Sequence, residues 1–532
     1  TSEGGDTMKT GEAYSSAVCA DKFDAIVIGS GISGLCAAAL LTQRGKRTIV
    51  LEKHFKPGGF THSFRRNQYE WDVGVHYIGE VHRERSVPRR LFDHISDGQL
   101  RWARMHPTYD RIVFPDRTYE LTAPKEQFIA GLSGYFPQEK DAISRYMYIV
   151  GQVTRAARGF FAAKALPSFL GSAAEATISR KFRSFSDRTT EAVLSELTAD
   201  ARLRGVLSGQ WGDYGLPPAQ SSFAIQAIVA RHYLDGANYP VGGARKMAET
   251  IVPVVEKGGG RVVVSAAVDE ITIRGGKAAG VRLTNGDEIS APVVISAAGV
   301  INTYGRLLRN HSESAKFRRR LETVKPASGH ICLHIGINHS AQDLGLHTAN
   351  MWIYPGYDHD RNVSDYLAGG ENEFPVVFVS FPSARDPLWE QEYPGTATLE
   401  AVTMAPYEWF EQWKERPWKK RGEDYERLKE RLSGRLLATV EEHVPAIRGK
   451  IDYHELSTPL STRDLVNYPL GEMYGIEHSP SRFRQKWLQP RTPIRNLFLT
   501  GQDITTVGVT GALLAGLLTA SVVLKKNLLR DL

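Results

Sequence analysis

Short apolar runs without polar alternation mark the two ends of this chain. Asp24-Ala-Ile-Val-Ile-Gly29 has the pattern of a strand buried on both faces of a parallel sheet. Residues 32–44 continue apolar for long enough to make a helix, and residues 48–51 form a second short strand. Near the C-terminus, Asn496-Leu-Phe-Leu-Thr500 repeats the strand pattern and leads to an apolar helix expected from about Gly511. A third stretch lies between them. After Tyr239-Pro-Val-Gly242-Gly243 comes a helix to about residue 257, then strands at 261–264, 268–273 and 280–283, a turn at Asn285-Gly286, and a strand at 293–295 ending in Ala297-Ala-Gly299. Residues 507–524 are eighteen positions without a charge, which hydropathy alone would mark as a marginal membrane span. Gly508, Thr510, Gly511 and Gly516 suit close packing instead, so the stretch reads as a buried helix.

The glycines give the first strand and helix a chemical purpose. Gly29-Ser30-Gly31-Ile32-Ser33-Gly34 sits between them, in the order of a dinucleotide-binding turn. The first glycine permits the tight turn, the second lets backbone approach a pyrophosphate, and the third lets helix pack on strand. Unpaired N–H groups at the helix start then face the phosphates. Glu52 closes the second strand eighteen positions beyond Gly34, where a carboxylate receives an adenosine ribose and disfavours a 2′-phosphate. Gly258-Gly-Gly260 follows a helix and enters a strand, the wrong order for a second nucleotide, so the sequence offers no nicotinamide site.

The extension Glu52-Lys53-His-Phe-Lys-Pro-Gly58-Gly59 resembles the fingerprint of a large flavoprotein group that includes amine oxidases and carotenoid desaturases. That resemblance implies non-covalent FAD, with Gly58 and Gly59 beside its pyrophosphate and Ser30, Ser33, Lys53, Phe60 and Thr61 among its contacts. It places the backbone of Val268 at the adenine, Gly299, Gly501 and Asp503 near the ribityl chain and pyrophosphate, and the helix start at Thr510 and Gly511 beside the isoalloxazine O2. Glu70-Trp-Asp72-Val-Gly74-Val-His76-Tyr77-Ile-Gly79 resembles a signature shared by carotenoid isomerases and retinol saturases, relatives of phytoene desaturases. Phe381-Pro-Ser-Ala-Arg-Asp-Pro-Leu-Trp389 and Leu499-Thr-Gly-Gln-Asp-Ile504 are similar to the retinol saturases in particular.

The implied fold class is α/β. A Rossmann-type FAD domain is assembled from 22–82, 236–300 and 493–532, with an interleaved α+β substrate domain, 83–235 and 301–492, whose sheet roofs the flavin; 1–21 reads as a flexible tail. The implied activity is saturation of a C=C bond in a conjugated isoprenoid such as all-trans-retinol. A redox-neutral isomerase, a desaturase and a flavin-bearing lipid carrier are the alternatives.

A polyene has no carbonyl to hold negative charge, so hydride is delivered most easily once a proton has made an allylic cation. An acid is therefore wanted. The candidates are His76 and Tyr77 after the Asp72-Val-Gly74 turn, and Tyr474 supported by His478 or Glu477; each also suits an ordinary hydrogen-bonding role. The electron donor, an external reductase or a reduced nicotinamide, is left open, as is the oligomeric state.

Composition narrows the partners. A formal net charge of +7 is spread along the chain rather than clustered, which argues against a nucleic-acid partner. Cys19, Cys36 and Cys332 are too few for a disulfide framework or a tetrahedral metal site and fit a reducing compartment. Gly159-Phe-Phe-Ala-Ala-Lys-Ala-Leu-Pro-Ser-Phe-Leu-Gly171, beside Arg155, Arg158, Arg180, Lys181 and Arg183, reads either as a contact with a membrane surface or as a core helix pair interrupted by Pro167. The first reading makes the chain a peripheral protein, of the endoplasmic reticulum membrane in a eukaryote or the cytoplasmic face of the inner membrane in a bacterium.

Overall fold

The computed structural model describes residues 10–74, 77–166, 179–369 and 372–532. Six parallel strands form one sheet: β1 (Glu12–Ala13), β2 (Ala25–Ile28), β3 (Thr48–Leu51), β4 (Arg261–Val264), β5 (Val294–Ser296) and β6 (Leu497–Leu499), in the spatial order β1-β4-β3-β2-β5-β6. The central strands β2 and β3 are buried along their whole length, which is why they carry no polar alternation.

Helix α1 (Ile32–Thr42) is buried on every side, as a helix apolar all round must be. Helix α2 (Gly508–Leu524) lies directly against it. A Cβ on Gly516 would stand 2.6 Å from Ser33 O and 2.7 Å from Cys36 Cβ, so the two helices meet at backbone distance. Gly34 has the same role in the turn, where a Cβ would reach 2.2 Å from Gly29 O. These contacts hold the C-terminal segment onto the N-terminal one.

A second, mixed sheet of seven strands runs in the order Ile451–Ser457, His330–Ile337, Ala397–Met404, Val377–Ser380, Asn350–Ile353, Thr108–Val113 and Thr118–Thr122. Neighbours are antiparallel except Asn350–Ile353 with Thr108–Val113. Helices Lys140–Ala163 and Phe223–Tyr233 contribute to a further aromatic core, which also takes in Trp352 and Phe378 of this sheet.

Three expectations change. Residues 12–20 are not a free tail, because β1 pairs with Val263 and Val264 and Arg261 binds Glu12 and Asp21, covering an edge that β4 would otherwise expose; residues 1–9 lie outside the described set. Helix α2 begins at Gly508, three residues before the expected Gly511. Phe160 is only 6% exposed and stacks on Phe182 at 4.3 Å, so it belongs to the core rather than to a membrane contact; Pro167, Phe169 and Leu170 lie outside the described residues. Among the described residues no helix is long and apolar enough to cross a membrane.

The α1–α2 contact makes a stability prediction. Gly516→Val should lower thermal stability in calorimetry by about 1–3 kcal/mol, the usual cost of overpacking. Gly434→Ala, at an exposed position of the helix Glu423–His443 with nothing within 4 Å of the added carbon, should be neutral or slightly stabilising.

Candidate active site

The C-terminal ends of β2, β3, β5 and β6 open into one cavity of about 1580 Å³, where Ile28, Leu51, Ala297 and Thr500 reach its wall. Ligands of open α/β sheets bind at this edge. The volume exceeds the roughly 300–1,000 Å³ of a drug-sized site and leaves room for a dinucleotide and a second long ligand.

The nucleotide cradle is made from backbone. Gly29, Gly58 and Gly59 have φ of +98°, +122° and +58°, and a Cβ on Gly59 would lie 3.1 Å from the Cα of Gly31. Ser30 donates to Glu52 Oε2 from its N–H (2.9 Å) and its Oγ (2.6 Å), and accepts from Gly58 N–H at 3.0 Å. Glu52 Oε1 accepts the His54 N–H at 2.8 Å. This latch fixes the spacing between the turn and the Gly58-Gly59 pair. Thr61 Oγ1 donates to Gly58 O at 2.8 Å, Phe60 packs on Tyr468 at 5.3 Å, and the Lys53 ammonium binds Asp464 O and Asn467 Oδ1.

Of the expected cofactor residues, Gly29, Gly31, Ser33, Glu52, Lys53, Gly58, Gly59, Phe60, Thr61, Val268, Gly299, Gly501, Asp503, Thr510 and Gly511 line the cavity. Ser30 and Gly34 stand one layer behind, holding Glu52 and the helix. Asp503 joins the distant parts. Its Oδ2 accepts Val300 N–H at 2.8 Å, its Oδ1 accepts Ile476 N–H at 3.1 Å, and a Cβ on Gly475 would come within 2.1 Å of Oδ1. Thr510 Oγ1 is buried without a hydrogen-bond partner among the described residues, so it can meet a ligand. Positive-φ glycines, an orphaned hydroxyl and a helix start together fit a flavin dinucleotide.

Elsewhere the wall is aromatic: Trp211, Tyr233, Trp352 and Phe378 line it together with Tyr77, Asp213 and Tyr474. Tyr77 stacks on Tyr233 with centroids 4.2 Å apart, and its hydroxyl lies 3.0 Å from Asp110 Oδ2 and 3.2 Å from Asp213 Oδ2. The Tyr474 hydroxyl donates to Gly212 O at 2.8 Å, and burial, with Asp213 nearby, raises its pKa.

The support expected for Tyr474 does not form. His478 is fully buried, spends its Nε2 on Val507 N–H at 3.0 Å, and is held neutral by burial and by Arg482. Neither His478 nor Glu477 reaches the cavity wall. His76 lies outside the described residues.

Sequence reasoning missed Asp213, which has no motif around it; its signal is a carboxyl set in an apolar, aromatic stretch. It also missed that Cys332 lines the cavity. Donor atoms of Cys332, His334 and Glu400 lie within 4.8 Å of one another, an arrangement hidden from spacing because Glu400 comes from the neighbouring strand. Burial and Glu400 raise the Cys332 pKa, which makes the thiol a poor nucleophile.

The description "flavin containing amine oxidoreductase" matches residues 32–524. Over 528 residues the chain is 36% identical to the all-trans-retinol 13,14-reductase of Danio rerio, covering 96% of this chain and 87% of that protein. The Homo sapiens protein of the same name is 36% identical over 541 residues, covering 98% and 88%. Among solved structures, cyclohexylamine oxidase from Brevibacterium oxydans shares the fold at a TM-score of 0.59 and 15% identity, over 96% of this chain and 99% of that one.

Denaturing the purified protein should release yellow, intact FAD, and Glu52→Ala or Asp503→Ala should weaken FAD binding by about 10- to 150-fold in a reconstitution titration. That range corresponds to losing about 1.5–3 kcal/mol of hydrogen bonding to a charged group. Flavin that stays attached to the denatured chain would contradict the non-covalent site.

Proposed function

The chain belongs to the flavin containing amine oxidoreductase family, in the branch of the all-trans-retinol 13,14-reductases, and on that premise we propose that it saturates one C=C bond of a conjugated isoprenoid, with all-trans-retinol the first candidate. The observation that carries this reading is the single cavity, whose wall passes from the glycine cradle to the aromatic lining. FAD, once reduced, supplies a hydride.

The residues do the rest. Trp211, Tyr233, Trp352 and Phe378 give a flat polyene apolar surface to lie against and keep water from it. The buried Tyr77 and Tyr233 pair holds the wall rigid. A neutral acid suits such a pocket, because an unpaired charge would be costly to bury there.

An apolar substrate reaches the cavity from a lipid surface. Leu166 and Leu529, 39% and 45% exposed, stand at the cavity beside Arg491, Lys525 and Lys526. This mixture of apolar and basic residues fits a peripheral contact with anionic lipid.

Electron counting tests the reaction. Photoreduced holoprotein mixed without oxygen with all-trans-retinol and a carotenoid panel should give one saturated product for every two electrons consumed, by chromatography. An isomer formed without flavin reoxidation would overturn saturation in favour of isomerisation. In liposome flotation, binding should need anionic lipid and weaken with salt, since screening acts over about 10 Å at 0.1 M. Retained flotation in the Leu166→Ser/Leu529→Ser double variant would move the contact elsewhere.

A further inference from the structure

Among the described residues, four carboxyl side chains line the cavity: Glu52, Glu80, Asp213 and Asp503. Three are engaged by the fold. Glu52 accepts from Ser30 and His54, Asp503 accepts from Val300 and Ile476, and Glu80 pairs with Arg83 at 3.1 Å. Asp213 has neither a cation nor a backbone N–H among the described residues. It ends the short 3-10 turn Trp211–Asp213, and its hydrogen-bond partner is the Tyr77 hydroxyl.

The same hydroxyl also faces Asp110, and the two carboxyls are unequal. Asp110 accepts from Asn350 Nδ2 and Gln210 Nε2, both at 2.7 Å, and from Tyr77 at 3.0 Å. Arg385 binds the oxygen of Asn350 and so adds positive charge behind Asp110. Tyr77 has a single proton to give. Three donors favour an ionised Asp110, which accepts the Tyr77 O–H hydrogen bond; Asp213 must then carry its own proton and donate it to the tyrosine oxygen. Burial, with the Asp110 charge nearby, keeps the Asp213 carboxyl well above the usual carboxylate range, whereas Asp110 is pushed up only to about 6.

We infer that Asp213 is the acid that protonates the polyene, with Tyr77 and Asp110 as positioning residues that keep its proton in place. This rests on the saturase reading above. In the step, the Asp213 O–H bond breaks and a C–H bond forms at one alkene carbon. The neighbouring carbon then needs a hydride, with both its electrons, which a reduced flavin held by the glycine cradle would supply, giving up the two electrons the substrate gains. The substrate gains two hydrogens in all, and Asp213 is left as a carboxylate that Tyr77 can hydrogen-bond until a proton from water restores it. Tyr474 is the weaker alternative, since its proton is donated to Gly212 O and a phenol is less acidic than a carboxyl by about six pKa units.

Two measurements on the holoenzyme test this. Infrared difference spectra of wild type minus Asp213→Asn, taken without substrate at neutral pH, should show the carbonyl stretch of a protonated carboxyl, shifted in D2O. The wild type minus Tyr474→Phe difference should lack that band. In stopped flow, reduced Asp213→Asn enzyme mixed with all-trans-retinol should reoxidise about 10²–10⁴-fold more slowly than wild type with an unchanged flavin spectrum. Asp213→Glu should recover part of that loss, and Tyr474→Phe should slow reoxidation less than Asp213→Asn does. No carboxyl band in the wild type minus Asp213→Asn difference, or wild-type reoxidation in that variant, would overturn the assignment. A wild-type enzyme that carries the band but reduces no polyene would instead overturn the saturase reading, and with it this step, while leaving the proton on Asp213.

Discussion

The buried side chain of Asp503 is the pin on which this structure turns. It is 4% exposed and accepts N–H groups from Val300, which follows β5, and from Ile476, in the loop that carries Tyr474. Residues 203 and 27 positions away in sequence are thereby held to the end of β6. Gly475 must lack a side chain for the carboxyl to fit. Gly516 against Ser33 then locks the same C-terminal segment onto α1, so the cofactor cradle and the aromatic wall cannot shift independently. Removing one partner of such a buried group costs more than the bond itself contributes, because the other partner is left unsatisfied.

Features with a local cause were legible in the sequence. The glycine turn, Glu52 and the Gly58-Gly59 pair follow from what one backbone needs beside a pyrophosphate, and the β3 and β4 strands stand at the residues their apolar runs mark. Features settled by distant partners were not. β1 exists because β4 offers an edge, and α2 starts early at Gly508, whose φ of +84° a side chain would resist. Closeness to Tyr474 in sequence suggests His478 as its support. In the fold its imidazole serves the backbone at Val507. Asp213, Tyr77, Asp110 and Asn350 come together from four separate segments of the chain, and no spacing along it announces them.

The aromatic wall accounts for both binding and acidity. A cavity dry enough to accept a polyene also penalises charge, which raises the pKa of the phenols of Tyr77, Tyr233 and Tyr474 and of the carboxyl of Asp213. A carboxyl kept neutral in this way can act as an acid at a pH where an exposed one would be ionised. Asp110, with its three donors, supplies the fixed charge against which that neutrality is set.

The central claim is that flavin and polyene share one cavity. The most direct test is a crystal structure of the FAD-loaded protein with all-trans-retinol bound. The account predicts the dinucleotide along Gly29–Gly34 and Glu52, and the polyene against Trp211, Tyr233 and Trp352 within reach of the isoalloxazine. A polyene bound outside this cavity, or flavin lying across the aromatic wall, would contradict it.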